Sequence, residues 1–290
     1  MKKITLILAV ALTLLTACHS DDDTTPTTAE VGRITFEVVN YQQYSMDDPT
    51  RAKTYSVDSV SHLDFIIYDA ENDTVVIHQH QKKGEEGYGT FSALLPYGSY
   101  NVVFLGYESQ RREAKVDDIT AICFEDNFVP HFFSKKLPVT IDKPEIEVQD
   151  VVLERAVACF HFISKGGVPR NLDTIMITSQ GGSHHFDART GLGKLVESRS
   201  YKYGMSSRAG QDTLAIFFYT FLTSPKDTMI FTVTAKDNEG NIIRTRDFKE
   251  VPMKINQITR YTGQFFDPKG SSGYTLSLDG KAWENDLHTY

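Results

Sequence analysis

Positive charge is scarce in this sequence. Thirty lysines and arginines face 38 aspartates and glutamates across 290 residues, a formal net charge of −8. Nucleic-acid binding is dominated by cationic contacts to phosphate, so no nucleic-acid partner is expected. Almost no window repeats its apolar residues with a period of 3.6, which excludes a helical architecture. No internal repeat is short enough for a solenoid. Catalytic signatures are missing too. Thr190-Gly191-Leu192-Gly193-Lys194 lacks the glycine that a Walker loop would need at Ala188, and Val196 stands where a dinucleotide fingerprint needs its third glycine. Neither a G-x-S-x-G elbow nor an H-E-x-x-H helix occurs. Carboxylate pairs such as Asp47-Asp48 and Asp117-Asp118 sit in polar loops, without the apolar surround that raises a pKa. The expectation is a protein that is not an enzyme and needs no cofactor.

What is present begins at the N-terminus. Lys2 and Lys3 precede an apolar stretch from Ile4 to Leu15, a charged n-region followed by an h-region. That stretch reaches roughly 18 Å as a helix, well short of the ~30 Å hydrocarbon core, so it reads as a secretion signal and not a span. Leu15-Thr16-Ala17-Cys18 then matches the bacterial lipobox, in which the cysteine thiol receives a diacylglycerol before cleavage. Cys18 is therefore the expected lipidation site and first residue of the mature chain. Several acyl chains on one cysteine anchor far more durably than one. Ser20-Asp21-Asp22-Asp23 resembles the acidic tag by which one Gram-negative phylum sends lipoproteins to the outer face of its outer membrane, and the simpler reading is a solvated charge run. Residues 1–17 are read as signal peptide and 18–32 as a Thr-rich tether.

Beyond the tether, strands dominate. In "RITFEVVN" Ile34, Phe36 and Val38 alternate with Thr35 and Glu37, the period of a strand buried on one face. "HLDFIIYDAENDTVVIHQH" reads as a hairpin, as do "YGTFSALLPYGSYNVVFLGY" and the runs flanking "KDNEGN". Gly98 is expected to adopt a backbone conformation that other residues resist. From Arg111 to Pro138 the pattern loosens into a helical or irregular excursion. "EIEVQDVVLERAVACFHFIS" restarts the strands, which places a domain boundary near Asp150. The expected fold is all-β, with one β-sandwich over 33–150 and a second over 151–290.

Few side chains invite chemistry. His78 and His80 lie two apart on a strand and project from one face, as a metal-binding pair could, but no third ligand is evident and no metal site is assigned. His184 and His185 are weaker, because neighbours on an extended chain point apart. Cys123 and Cys159 sit among apolar residues as small hydrophobes, with a mutual disulfide as the alternative in an exported protein. Five tripeptides starting at Asp58, Asp73, Asp173, Asp212 and Asp227 read Asp, Ser or Thr, then an aliphatic residue. They resemble acceptors for periplasmic O-glycosylation, although Asp-Thr also closes turns.

Taken together, the lipobox with its acidic tag, the first strand "ITFEVV", "PTRA" at Pro49 to Ala52, "LPYGSYNVVFLG", the junction "VVLERAVACFHF" and a terminal strand ending on Trp283 resemble the fimbrillin superfamily. These are lipoprotein subunits and anchors of type V pili. The resemblance implies two transthyretin-like (prealbumin-like) β-sandwich domains and a structural, adhesive role at the cell surface, in a fimbrium. It also implies an outer-membrane lipid anchor and other fimbrial subunits as partners, with host or bacterial surface ligands beside them. Stalk subunits of that superfamily are cut by an arginine-specific protease after the first strand, and a neighbour's strand fills the groove. Arg51 matches that cleavage position, whereas a cut at Arg33 would free only the tether. Anchors keep their first strand and stay lipidated. The alternative is a monomeric surface lipoprotein that binds glycan, which would need a platform of exposed aromatics.

Overall fold

The computed structural model describes residues 30–44, 52–57, 60–110, 112–146, 148–267 and 273–279. Cys18, the Ser20 to Asp23 tag, Arg51, Asp58 and Trp283 lie outside them. Among the described residues no α-helix forms, and the expected all-β architecture of packed sandwiches is what the chain adopts.

Residues up to Arg155 supply β1 (Val31–Tyr44), β2 (Ala52–Ser56), β3 (His62–Asp69), β4 (Val75–Lys82), β5 (Thr90–Pro96), β6 (Gly98–Tyr107), β7 (Phe132–Ile141) and β8 (Gln149–Arg155). They form one 8-stranded sheet in the order β2-β1-β8-β7-β6-β3-β4, with β5 also paired to β1. The sheet curls over its own apolar face. Ile34, Phe36 and Val38 of β1 and Phe91, Ala93 and Leu95 of β5 meet Leu63, Phe65 and Ile67 of β3 and Val102 and Phe104 of β6 in one core. Where β4 comes round to β5, amide side chains take the place of a backbone ladder. Gln81 Nε2 donates to Thr90 O (2.8 Å), and Gly89 N donates to Gln81 Oε1 (2.8 Å). The expected junction at Asp150 falls inside β8, whose chain stays with this sheet as far as Arg155.

The second half contributes β9 (Ala158–Lys165), β10 (Leu172–Gln180), β11 (Phe186–Asp187), β12 (Leu192–Gly193), β13 (Ser198–Gly204), β14 (Thr213–Thr220), β15 (Lys226–Asp237), β16 (Ile242–Lys254), β17 (Ile258–Gly263) and β18 (Thr275–Asp279). Two 4-stranded sheets, β13-β10-β15-β16 and β14-β9-β17-β18, face each other. Their core includes Phe160, Phe162, Ile175, Ile177, Phe218, Phe231, Val233 and Phe248, with Phe160 and Phe231 stacked at 4.2 Å.

Two of the three expected hairpins form. β3 pairs antiparallel with β4, and β15 with β16 around Gly240, whose φ of 87° suits a glycine. β5 and β6 do not pair. They diverge after Pro96, β5 to β1 and β6 to β3 and β7, so that Phe91 and Phe104 meet across the core at 6.2 Å. The inward side chains of both strands need the core between them, which a hairpin would not provide. Gly98 has no left-handed backbone, contrary to expectation. The excursion after Tyr107 is irregular, with one short 3-10 turn at Glu125–Asn127, but it ends earlier than its composition suggests. β7 starts at Phe132 despite Lys135, Lys136 and Pro138. Its full length pairs with β6, while β8 touches only Phe133 and Ser134, so Pro138 sits where a missing N–H costs no ladder bond.

Candidate functional site

The first strand is the feature on which anchoring or assembly would turn, and it is bonded along both edges. On one side β1 pairs antiparallel with β5 over Val31 to Glu37 and with β2 over Asn40 to Tyr44. On the other it runs parallel to β8 from Phe36 to Gln42, and before that Arg33 N donates to Pro144 O (2.7 Å) and Ile146 N to Arg33 O (2.8 Å). A register shift between Val38 and Asn40 changes which residues face inward. Ile34, Phe36 and Val38 point into the core before it, and Tyr41 after it, its ring tilted against Phe133 at 4.3 Å. Ile34, Phe36 and Val38 are at most 2% exposed, so each stabilises the strand by roughly 1.5 to 3 kcal/mol. Gly32 makes the entry possible, because a Cβ there would lie 2.2 Å from Lys143 O and 2.7 Å from Ile141 Cγ2.

Arg33, the lesser of the two expected cleavage positions, therefore lies within a bonded strand, its side chain near Glu145 at 3.9 Å. Arg51 belongs to the segment between Tyr44 and Ala52, outside the described residues.

The two halves are joined by a third core. Ile66 and Tyr68 of β3 and Val103, Leu105 and Tyr107 of β6 turn away from the first core and pack with Phe132, Ile122, Phe124, Phe186 and Phe221. This explains why β3 and β6 are apolar on both faces. At its edge Arg155 is 3% exposed, donating from Nε to His131 Nε2 (2.7 Å) and from Nη1 to Asn256 Oδ1 (3.0 Å). Burial, and then the Arg155 charge, lower His131 to about 4, so the ring is neutral and accepts the bond. Burial lowers Arg155 itself to about 9. Residues 181 to 197 reach back to the first half: Phe186 and Ile122 exchange backbone bonds of 2.8 and 2.9 Å, Arg189 meets Asp73 at 3.0 Å, and Lys194 Nζ meets Thr120 Oγ1 at 2.6 Å.

His78 and His80 do share a face, and both contact Asp64, at 2.6 and 3.1 Å. Asp64 is 1% exposed. Burial pushes its carboxyl upward, but the two histidines outweigh burial and hold it below its ordinary range. His62 Nε2 donates to Ser109 O (2.8 Å), which leaves Nδ1 to accept from His80 Nε2 (3.3 Å). His80 then uses both ring N–H groups, consistent with a pKa raised by Asp64. The other pair departs from expectation. The chain bends at His184 after Gly181 and Gly182, both left-handed, and the two rings lie 4.0 Å apart with both Nδ1 atoms turned to Glu197. The extended backbone assumed for His184 and His185 is not there.

Cys123 and Cys159 are free thiols, and burial raises the pKa of both. Among the Asp-Ser/Thr tripeptides, Thr74, Thr213 and Thr228 are exposed while Thr174 is buried. Among the described residues no phenylalanine or tyrosine is fully exposed, while Tyr97, Tyr201 and Tyr203 are half-buried. Sequence reasoning missed Gly32, Arg155 and Glu197. An arginine inside the apolar run Val151 to Phe160 was the available signal for Arg155. Glu197 gave none, since its partners depend on the bend.

No curated protein matches the chain. Among solved structures, two candidate adhesins from Bacteroides ovatus resemble it, one at 13% identity and TM-score 0.54, covering 86% of this chain and 96% of that one. The other shows 15% identity and TM-score 0.51, covering 82% and 88%. The fimbrial anchor protein Mfa2 from Porphyromonas gingivalis aligns at 10% identity and TM-score 0.49, over 86% of this chain and 98% of that one. At such identities the likeness to the two Bacteroides ovatus proteins is one of fold. The family profile describing the fimbrillin-A associated anchor proteins Mfa1 and Mfa2 matches residues 31–278, from the first residue of β1 to the last strand. That profile runs through both sandwiches and the apolar joint between them: the chain belongs to the fimbrillin-A associated anchor family, proteins associated with the fimbrium and the cell surface.

Proposed function

We propose that this protein is the membrane-proximal anchor of a fimbrium, carried at the outer face of the outer membrane by a lipidated Cys18 and retaining its first strand. The observation that supports it is the double pairing of β1. The tether from Cys18 leads directly into β1 at Val31, so any load on the lipid enters the fold through that strand. Bonds on both edges and side chains in the core resist the load together, in shear. Cleavage after Arg51 would remove the only covalent path from lipid to globule, which an anchor cannot tolerate. The division into a signal peptide at 1–17, a tether and two sandwich units belongs to the same reading, with other fimbrial subunits as partners.

One observation favours a second reading. β1 is connected to the rest of the chain only through residues 45–51, where Arg51 lies, so a single cut would make it exchangeable for a strand of another subunit, as in donor-strand complementation. Two variants separate the readings. Cys18→Ala should lose labelling by a palmitate analogue and release the protein from the envelope. Arg51→Ala should leave lipidation, surface retention and fibre attachment unchanged, with the undigested mass of the wild-type surface form showing a chain unbroken at Arg51. Fibres that fail in Arg51→Ala would overturn the anchor in favour of a cleaved stalk subunit.

A further inference from the structure

We propose that His184, His185 and Glu197 form a binding site for a divalent transition-metal ion of the zinc class, which clips the 181–197 segment onto the joint between the two sandwiches. The three side chains each offer one ligand atom, and these atoms all lie within 4.8 Å of one another. Three such atoms around a zinc ion, with bonds of about 2.0 to 2.2 Å and tetrahedral angles, would stand about 3.4 Å apart. His185 Nδ1 and Glu197 Oε1 stand 3.2 Å apart. His184 Nδ1 and Glu197 Oε2 also face each other in direct contact, so both imidazoles present Nδ1 to the same carboxylate.

The backbone holds this set independently of any ion. Gly181 N donates to Glu197 O (3.0 Å) and Glu197 N to Gly182 O (2.9 Å), while Lys194 N donates to His185 O (3.0 Å). His185 N donates to Ser183 Oγ (3.1 Å), and Ser183 N to Phe221 O (2.8 Å). Gly182 is fixed in the left-handed region, where a Cβ would meet Thr220 Oγ1 at 2.3 Å. Ligands on so constrained a frame need little ordering to bind.

The donor set selects the ion. Two imidazoles and one carboxylate suit zinc, copper or nickel, whereas calcium takes six or more oxygens and magnesium a nearly ideal octahedron. One force opposes binding: Arg199, 6% exposed and bonded to Asn127 O and Tyr219 O, places a positive charge nearby. The fourth position on the ion is left to water. Because residues 186 to 194 between the ligands carry the backbone and ion-pair links to the first half, closing 184, 185 and 197 on one ion stiffens the joint itself.

The test uses the full chain, without a histidine tag and stripped with EDTA. Zinc sulfate titrated calorimetrically should bind at one equivalent, and calcium chloride should not bind. With free zinc a hundredfold above its Kd, Tm should rise by about 5 to 10 °C. H185Q and E197Q, each checked for an unchanged strand spectrum, should weaken zinc binding at least tenfold and lose the Tm rise. The double variant H78Q/H80Q should bind as the wild type does. Absence of zinc binding by the wild type overturns the proposal. So does wild-type affinity in both H185Q and E197Q, or loss of binding in H78Q/H80Q, which would move the ion to the Asp64 cluster.

Discussion

Acid should loosen this protein at the joint between its halves, and His131 is the group through which the effect can be measured. His131 is 7% exposed, its ring stacked on Tyr219 at 5.6 Å, with Nε2 taken by Arg155 and Nδ1 3.5 Å from Glu108. Burial is the larger cause of its low pKa and Arg155 the second, with Glu108 opposing them; together they carry it from 6.5 to about 4. Between those two pH values the unfolded chain binds a proton that the folded one does not. Stability therefore rises with pH across the window, is fully present above 6.5, and is lost as pH falls toward 4. Each pH step of one across that window is worth about 1.36 kcal/mol, so the whole effect is about 3 kcal/mol.

His131→Gln retains an acceptor for Arg155 and cannot titrate. Urea unfolding of both proteins at pH 7, 6, 5 and 4.5 should give a wild-type curve that falls more steeply than the variant's, the gap changing by about 2 to 3 kcal/mol over the series. His161, which burial and then Arg260 lower to about 3, adds a similar acid sensitivity. It is present in both proteins and cancels, as do the groups at Asp64. Parallel curves from pH 7 to 4.5 would refute the placement of a neutral His131 beside Arg155.

Three further outcomes follow from the packing. Gly32→Ala puts a Cβ against Lys143 O at 2.2 Å and should cost about 1 to 3 kcal/mol in urea unfolding through displaced backbone at the start of β1, a loss that an ordinary surface site would not show. Phe36→Ala empties the centre of a cluster in which Phe104 lies at 5.1 Å and Phe65 at 5.7 Å, and should cost about 3 to 5 kcal/mol in the same assay. Phe132→Ala removes the ring that meets Phe221 at 5.1 Å and Phe186 at 5.0 Å across the joint. Limited proteolysis should then cut between Tyr107 and Phe132 sooner than in the wild type, with both sandwich cores still protected; unchanged cleavage would show that the joint does not depend on that ring.

The strands were legible wherever one face is buried and the other is wet. Ile34, Phe36 and Val38, the β3 to β4 hairpin and the turn at Gly240 carry local signals, period two and turn chemistry, and local signals survive in a single sequence. The family resemblance was legible for the same reason, since its pieces are short strand and junction segments. Tertiary pairings were not. β5 and β6 resemble a hairpin in composition, but whether two strands pair or face each other across a core depends on neighbours distant in sequence, here β1 and β7. The inward turn of Tyr41 depends on a bulge that the partner strand β8 imposes.

The lipobox around Cys18 and the acidic balance are properties of the chain alone, and no folding changes them. The meeting of Arg155 with Asn256, of Lys194 with Thr120, and of His184 and His185 with Glu197 is different in kind. Each joins residues whose separation along the chain carries no pattern. Burial of the third core, with Phe132, Phe186 and Phe221 drawn together from three segments, sets the first two pairs within bonding distance, and the bend after Gly181 and Gly182, tied by backbone bonds to Glu197, sets the last.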